Sequence, residues 1–357
     1  MFEENLKGIV AALDAHTYNG LLLTTPENRF YATGFHSSDG IVLISKNRAL
    51  YATDFRYFED ASDRVKGFEL VMVTRENPYV KIIADFCAEE GIEELGFEDA
   101  AMSVAAHGAL CQRLRVKLVP ESGLMARLRM IKKDFEVERI VAAQRIAEKA
   151  FEKLLPSIRP GVRERDVAAE LDYQIRLCGA QGNSFETIAV SGANGSHCHG
   201  VPGDRVLEDG DFLTLDFGAL KDGYCSDMTR TVAIGHVTEE MRKVYNIVLQ
   251  AQLASIDAAK AGVIGADLHN VAAKIIGDAG YGEYFGHGLG HSVGIEVHDG
   301  AGASPSNPKP IPAGAVVTIE PGIYLPGKFG VRIEDFLLFT EGGNRNLTET
   351  PKELLIL

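Results

Sequence analysis

Thr214-Leu215-Asp216-Phe217-Gly218-Ala219-Leu220-Lys221-Asp222-Gly223-Tyr224-Cys225-Ser226-Asp227 reads as two largely apolar strands joined at Lys221-Asp222-Gly223, a hairpin signal. Each arm carries one acid, Asp216 and Asp227, among residues that belong in a core. A buried carboxylate must be hydrogen-bonded, paired with a cation or bound to metal. Three later segments offer companions: His291 in Gly286-His287-Gly288-Leu289-Gly290-His291, Glu320 in Thr318-Ile319-Glu320-Pro321-Gly322, and Glu334 in Val331-Arg332-Ile333-Glu334-Asp335. Four carboxylates and one imidazole form a hard, oxygen-rich donor set suited to manganese or a similar divalent ion. Their four negative charges match two divalent cations. Packed together without metal they would repel, and some would have to stay protonated. The expectation is a two-metal centre held by Asp216, Asp227, His291, Glu320 and Glu334.

Outward from this stretch, the 357 residues suffice for two domains. The first, residues 1–130, alternates strands and helices. A helix is predicted over residues 2–15, strands at 20–24, 40–44 and 50–53, a helix at 56–64, a strand at 70–73, a helix at 78–90, a strand at 95–97 and a helix at 103–114. That alternation predicts a layered α/β unit. No glycine-rich phosphate loop follows any of these strands. The second domain, residues 131–357, opens with a long helix from Asp134 to about Leu155, stopped by Pro156 and Pro160-Gly161. Further helices are predicted at 163–177, 239–260 and 266–279, with short strands and Gly-rich turns between them, an α+β pattern. Blocks 134–236 and 238–340 share this layout.

Composition narrows the function classes. A hydrophobic content of 46% with 24% charged residues is that of an ordinary globular protein. A net charge of −14 argues against nucleic acid and against an anionic membrane surface as partners. No apolar run approaches the roughly 18 residues of a membrane span, and the acidic start Met1-Phe2-Glu3-Glu4-Asn5 is not a secretory signal. Five scattered cysteines without a C-x-x-C pair suit a reducing cytoplasm.

The arrangement resembles the "pita-bread" metallopeptidase family of aminopeptidase P, prolidase and methionine aminopeptidase. The matching segments are Leu213-Thr214-Leu215-Asp216-Phe217-Gly218, Ser226-Asp227-Met228-Thr229-Arg230-Thr231, Gly286 to His291, Ile319-Glu320-Pro321-Gly322-Ile323-Tyr324 and Gly330-Val331-Arg332-Ile333-Glu334-Asp335. All five ligand positions are intact. The N-terminal unit, with Asn28-Arg29-Phe30-Tyr31-Ala32-Thr33-Gly34-Phe35 and Thr53-Asp54-Phe55-Arg56-Tyr57, looks like the creatinase-like domain of the family's proline-specific branch. The resemblance implies a creatinase-like α/β domain followed by a pita-bread catalytic domain, and an exopeptidase acting on proline-containing peptides.

Residue roles follow from the same resemblance. His199, His287 and His298 match the family's substrate-side histidines, with His287 and His298 expected to stabilise an oxyanion. Glu320 is expected to accept a proton from the attacking water, Arg332 to pair with a ligand carboxylate or substrate, and Tyr324 to face substrate. His36, His107, His197, His236 and His269 match nothing and read as local structural histidines. The implied reaction is hydrolysis of an Xaa-Pro bond by two metal ions, manganese first, with cobalt, iron or zinc also admissible. The implied enzyme is a cytoplasmic homodimer, an Xaa-Pro dipeptidase. The alternative is an aminopeptidase P that takes longer peptides. A creatinase-like C–N hydrolase or a peptide-binding relative would have lost the ligands that this chain keeps. The helical zinc motif H-E-x-x-H is excluded because Gly288 stands where its glutamate would be.

Overall fold

Short apolar runs near the N-terminus pair into one mixed sheet in the computed structural model, which describes residues 2–300 and 302–357. The strands are β1 (Gly20–Leu23), β2 (Ile41–Ser45), β3 (Ala49–Thr53), β4 (Glu69–Met72), β5 (Glu94–Glu98) and β6 (Lys117–Glu121), in the order β4-β3-β2-β1-β5-β6. β1, β2 and β3 are antiparallel neighbours, whereas β3–β4, β1–β5 and β5–β6 are parallel. Parallel neighbours need a crossover. The helices here are α1 (Phe2–Leu13), α2 (Pro26–Thr33), α3 (Phe55–Arg64), α4 (Tyr79–Glu89) and α5 (Val104–Arg113), and α3 and α5 supply the crossovers for β3–β4 and β5–β6.

Two of these elements were not expected from the sequence. α2 is too short for periodicity to show, but its ends are written in local chemistry. Thr25 caps it by accepting from the Asn28 N–H, Pro26 sits in its first turn, and Gly34 closes it in the left-handed region at φ 73°. β6 contains Pro120, which a strand tolerates at a sheet edge, and β6 is the edge.

The chain divides into two units, one ending at Arg129 and the other starting at Met130, with α6 (Leu124–Met130) following β6. The second unit is built on α7 (Asp134–Leu154), α8 (Glu164–Leu177), α9 (Glu239–Ala258) and α10 (Gly265–Asp278). Its strands are β7 (Gly182–Asn183), β8 (Ile188–Ser191), β9 (Phe212–Phe217), β10 (Ala219–Lys221), β11 (Tyr224–Cys225), β12 (Met228–Ala233), β13 (Val316–Ile319), β14 (Gly322–Leu325), β15 (Phe329–Arg332), β16 (Asp335–Thr340) and β17 (Gly343–Asn346). The expected hairpin forms, but it serves two sheets. Its base, β9 with β12, joins β8, while its tip, β10 with β11, joins β7. The tip turns at Asp222 and Gly223, both at positive φ (49° and 80°), as a two-residue hairpin turn requires.

The two halves of this unit repeat one another in detail. Gly161 N–H bonds to Leu207 and Leu207 N–H to Val162, just before α8. Gly262 N–H bonds to Ile311 and Ile311 N–H to Val263, just before α10. Each half also has its own core. Leu213, Leu215 and Phe217 of β9 pack with α7 and α8, and Val317 and Ile319 of β13 pack with α9 and α10. Because strand side chains alternate, the same pattern turns Thr214 and Asp216 to the opposite face. No helix among the described residues is long and apolar enough to cross a membrane.

Candidate metal centre

Strand register brings the acids of the opening hairpin together. Asp216 on β9 lies opposite Thr229 on β12, and Asp227 directly precedes β12. Glu334 stands between β15 and β16, with its N–H on the Thr229 carbonyl at 3.1 Å. Glu320 follows β13, with its N–H on the Leu289 carbonyl at 2.8 Å; the Thr318 N–H donates to the His291 carbonyl at 2.8 Å, and the His291 N–H donates to Thr318 Oγ1 at 3.0 Å. The non-helical stretch Gly286 to His291 is needed for this approach. A Cβ on Gly290 would lie 1.8 Å from the Thr318 carbonyl oxygen, so only glycine lets the His291 loop lie against β13.

All five expected ligands line one cavity of about 530 Å³, together with His199, His287, His298 and Arg332. One donor atom each from Asp227, His291 and Glu334 fall within 4.8 Å of one another. The His291 Nε2 atom is 3.5 Å from Asp227 Oδ2 and 3.5 Å from Glu320 Oε1. These are not ion pairs. Burial, then the neighbouring His298, holds the His291 imidazole neutral with its pKa lowered to about 4. Its Nδ1 faces the Ser292 carbonyl at 3.4 Å, which leaves the Nε2 lone pair towards the acids.

The acids themselves are frustrated. Burial, then Asp216 and Glu320, pushes Asp227 well above the usual carboxylate range. Burial, then Asp227, Glu320 and Asp216, does the same to Glu334. Glu320 is raised to about 8, by burial first and by Asp216, against the opposing pull of Arg332. Asp216 Oδ1 and Glu334 Oε1 are buried with no hydrogen-bond partner. A buried carboxylate oxygen left bare is costly. Orphaned hard oxygens converging with an imidazole lone pair fit divalent metal ions.

Around the acids runs a polar relay. Arg332 donates from Nη2 to Asp216 Oδ2 (2.7 Å), from Nε to Thr229 Oγ1 (3.1 Å), and from Nη1 to the Tyr324 hydroxyl (2.8 Å) and the Cys198 carbonyl (3.2 Å). Thr229 Oγ1 in turn donates to Glu334 Oε2 at 2.6 Å. Of the two expected partners for Arg332, the structure gives the carboxylate. The Tyr324 hydroxyl faces His287 Nε2 at 3.0 Å, while His287 Nδ1 donates to the Gly288 carbonyl at 2.7 Å. With Nδ1 carrying the proton, Nε2 accepts from Tyr324 and is engaged rather than open to the cavity. Burial, then Arg332, lowers the His287 pKa to about 4 and keeps it neutral. His298 packs on His291, ring centroids 4.1 Å apart.

Thr229 was missed by the sequence reading, yet it touches both Glu334 and Arg332. Strand periodicity carries the signal, since Asp227, Thr229 and Thr231 alternate onto one face. Glu164 was missed as well. It is fully buried at the start of α8 and accepts from Ser191 N (2.7 Å) and Oγ (2.9 Å), Asn194 Nδ2 (3.1 Å) and Gly203 N (3.2 Å). It thereby holds both ends of the loop that bears Cys198 and His199. A lone glutamate after a glycine turn gives no sign of this in sequence.

Known proteins share this architecture. Residues 6–131 match the Creatinase/Prolidase N-terminal domain, and residues 138–341 match Metallopeptidase family M24. An uncharacterized peptidase of Bacillus subtilis is 41% identical over 340 residues, covering 95% of this chain and 96% of its own. The solved Xaa-Pro dipeptidase from Bacillus anthracis is 42% identical with a TM-score of 0.96, covering 100% of both chains. The X-Pro aminopeptidase from Thermotoga maritima is 35% identical with a TM-score of 0.91, covering 99% of both. With its catalytic segment matched from residue 138 to 341 behind a creatinase-type N-terminal domain, this chain belongs to metallopeptidase family M24.

Proposed function

We propose that this peptidase is an Xaa-Pro dipeptidase, working with two manganese ions held by Asp216, Asp227, His291, Glu320 and Glu334. The observation that carries the metal assignment is the pair of partnerless buried oxygens, Asp216 Oδ1 and Glu334 Oε1, in a cavity with a neutral His291. The substrate reading follows the similar Xaa-Pro dipeptidase from Bacillus anthracis. Divalent ions, when bound, supply Lewis acidity and bring the pKa of water towards neutrality.

The chain's own residues supply the rest. Glu320 accepts the proton of the attacking water. Its burial is suited to a base that shares its charge with cations and works near neutral pH. Arg332, held by Tyr324 and Thr229, keeps Asp216 oriented. His298 and His199 line the cavity and serve as donors to the developing oxyanion. His287, occupied by Tyr324, orients that hydroxyl and binds substrate only by exchanging this bond. Phe185, Ile188, Val201, Pro202 and Val297 give the cavity an apolar wall. A tertiary Xaa-Pro amide has no N–H to satisfy, so an apolar wall suffices for its ring.

The domain boundary at residues 130/131, a homodimer and a cytoplasmic location complete the proposal. The homodimer rests on the family resemblance, and the location on five scattered cysteines without a C-x-x-C pair. Hydrolysis of Ala-Pro beside Ala-Pro-Ala-Ala, in metal-stripped protein with manganese restored, tests the reading. Cleavage of the dipeptide alone is the expected result. Release of alanine from the tetrapeptide would make the enzyme an aminopeptidase P, in line with the X-Pro aminopeptidase from Thermotoga maritima. Two bound ions with neither peptide cleaved would overturn the substrate class and leave the metal centre standing.

A further inference from the structure

Against the His291–His298 loop lies a buried lysine that does not line the cavity. The Lys132 side chain is 1% exposed, and Asp299, beside it, is 3% exposed. Lys132 Nζ donates to Ser292 Oγ at 3.0 Å and lies 3.8 Å from Asp299 Oδ2. Ser292 directly follows His291, and Asp299 directly follows His298. One ammonium therefore ties together the residues next to both imidazoles.

The loop between them is closed around this contact. Asp299 N–H bonds to the Ser292 carbonyl at 2.7 Å, and Asp299 Oδ2 accepts the Ile295 N–H at 3.0 Å. A Cβ on Gly294 would fall 2.0 Å from Asp299 Oδ2 and 3.0 Å from Lys132 Cε, so the loop folds around the pair with no room for a side chain. Lys132 is itself anchored, its N–H on the Gly314 carbonyl at 2.9 Å, immediately before the first turn of α7. A buried ion pair is a poor source of stability, since an apolar pair of the same shape often serves as well. What the charge supplies here is register, because Ser292 and Asp299 must both reach one nitrogen.

We infer that Lys132 is a positioning residue, which through Ser292 and Asp299 sets the His298 ring against His291 in the substrate cavity. The catalytic part of this inference rests on the proposed role of His298, while the geometric part does not. Displacement of a reacting group by about 1 Å can cost about 10²-fold in rate.

The test uses Lys132→Met, His298→Ala and the double variant in the manganese-loaded enzyme with Ala-Pro, together with a crystal structure of Lys132→Met. The expected result is a kcat lowered about 10²-fold with KM changed less than about threefold, rings moved apart from their 4.1 Å contact, and a double variant no slower than His298→Ala. A purely structural role would lower thermal stability but would not make the two losses redundant. Rings that stay in place in Lys132→Met, or losses that multiply in the double variant, would overturn the inference. If His298→Ala alone turns over normally, the catalytic reading of His298 fails, and ring separation by itself decides the role of Lys132. Should Lys132→Met not fold, Asp299→Asn goes through the same measurements under the same criteria.

Discussion

Glu98 in the N-terminal unit and Glu334 in the catalytic unit are both buried glutamates, and their surroundings are opposite. Glu98 accepts from the backbone N–H and hydroxyl of Thr24, from the backbone N–H and hydroxyl of Thr25, and from Asn28 Nδ2. Every oxygen is used, by neutral donors, and the acid clamps the entry to α2. Glu334 has one donor on Oε2, Thr229, and nothing on Oε1. Around Glu334 stand further acids that raise its pKa. A saturated carboxylate holds a fold together, whereas a bare one surrounded by like charges keeps a place for a cation. Glu164 belongs with Glu98 by this measure, and Asp216 belongs with Glu334.

The widest separation between the two kinds of acid is expected in activity. Asp227→Asn removes one charged donor from the centre and should abolish metal uptake at that position, with turnover of Ala-Pro down at least about 10³-fold and the fold retained. Metal analysis beside the assay checks this, and full activity would sink the assignment of Asp227. Glu98→Ala should do the reverse. It leaves several donors without an acceptor and should cost about 3 kcal/mol of stability, with kcat for Ala-Pro unaltered. A denaturant melt that shows no loss would remove the distinction.

A third expectation concerns pH. Glu320 in the folded, metal-free protein titrates at about 8, above its ordinary 4.5. The folded state then binds more protons than the unfolded one between those values, so stability falls as pH rises through this range. His287 and His291, lowered to about 4 from 6.5, act in the opposite sense, but only below about pH 6.5. Between pH 6.5 and 8 the carboxylate effect stands alone, on the order of 2 kcal/mol for one such group. Metal-free protein should therefore melt lower at pH 8 than at pH 6.5, and saturating manganese should erase the difference. An unchanged melting temperature in the metal-free form would mean that the acids are not frustrated. The smallest effect is expected at Thr229→Val. Losing the hydroxyl between Glu334 and Arg332 should weaken manganese binding about tenfold in a calorimetric titration, and unaltered affinity would show that Glu334 needs no such support.

Much of the centre could be read from the chain because its chemistry is written in residue types. Acids placed inside apolar strands at Asp216 and Asp227, and Glu320 beside Pro321, contradict their own neighbourhoods, and that contradiction is visible without coordinates. The glycines around His287 and His291 likewise announce a non-helical approach. Periodicity located α7 to α10 and most of the N-terminal sheet, because long or strongly patterned segments carry their own signal. α2 and β6 escaped because one is short and the other is an edge strand with a proline.

Tertiary structure alone decided which polar groups meet. That Glu98 and Glu164 are saturated while Glu334 is bare depends on Thr24, Asn194 and Thr229, residues whose types promise nothing and whose partners lie tens of residues away. The engagement of Asp216 by Arg332 is set by the packing of β15 against the β9–β12 pair, and that of His287 by Tyr324 by the pairing of β14 with β15. Lys132 shows the limit most plainly, since a lysine before a helix reads as a surface residue until the chain closes over it. Sequence fixes which donors and acceptors exist and where strands turn them. Pairing is long-range, and only the folded chain assigns each donor to its acceptor.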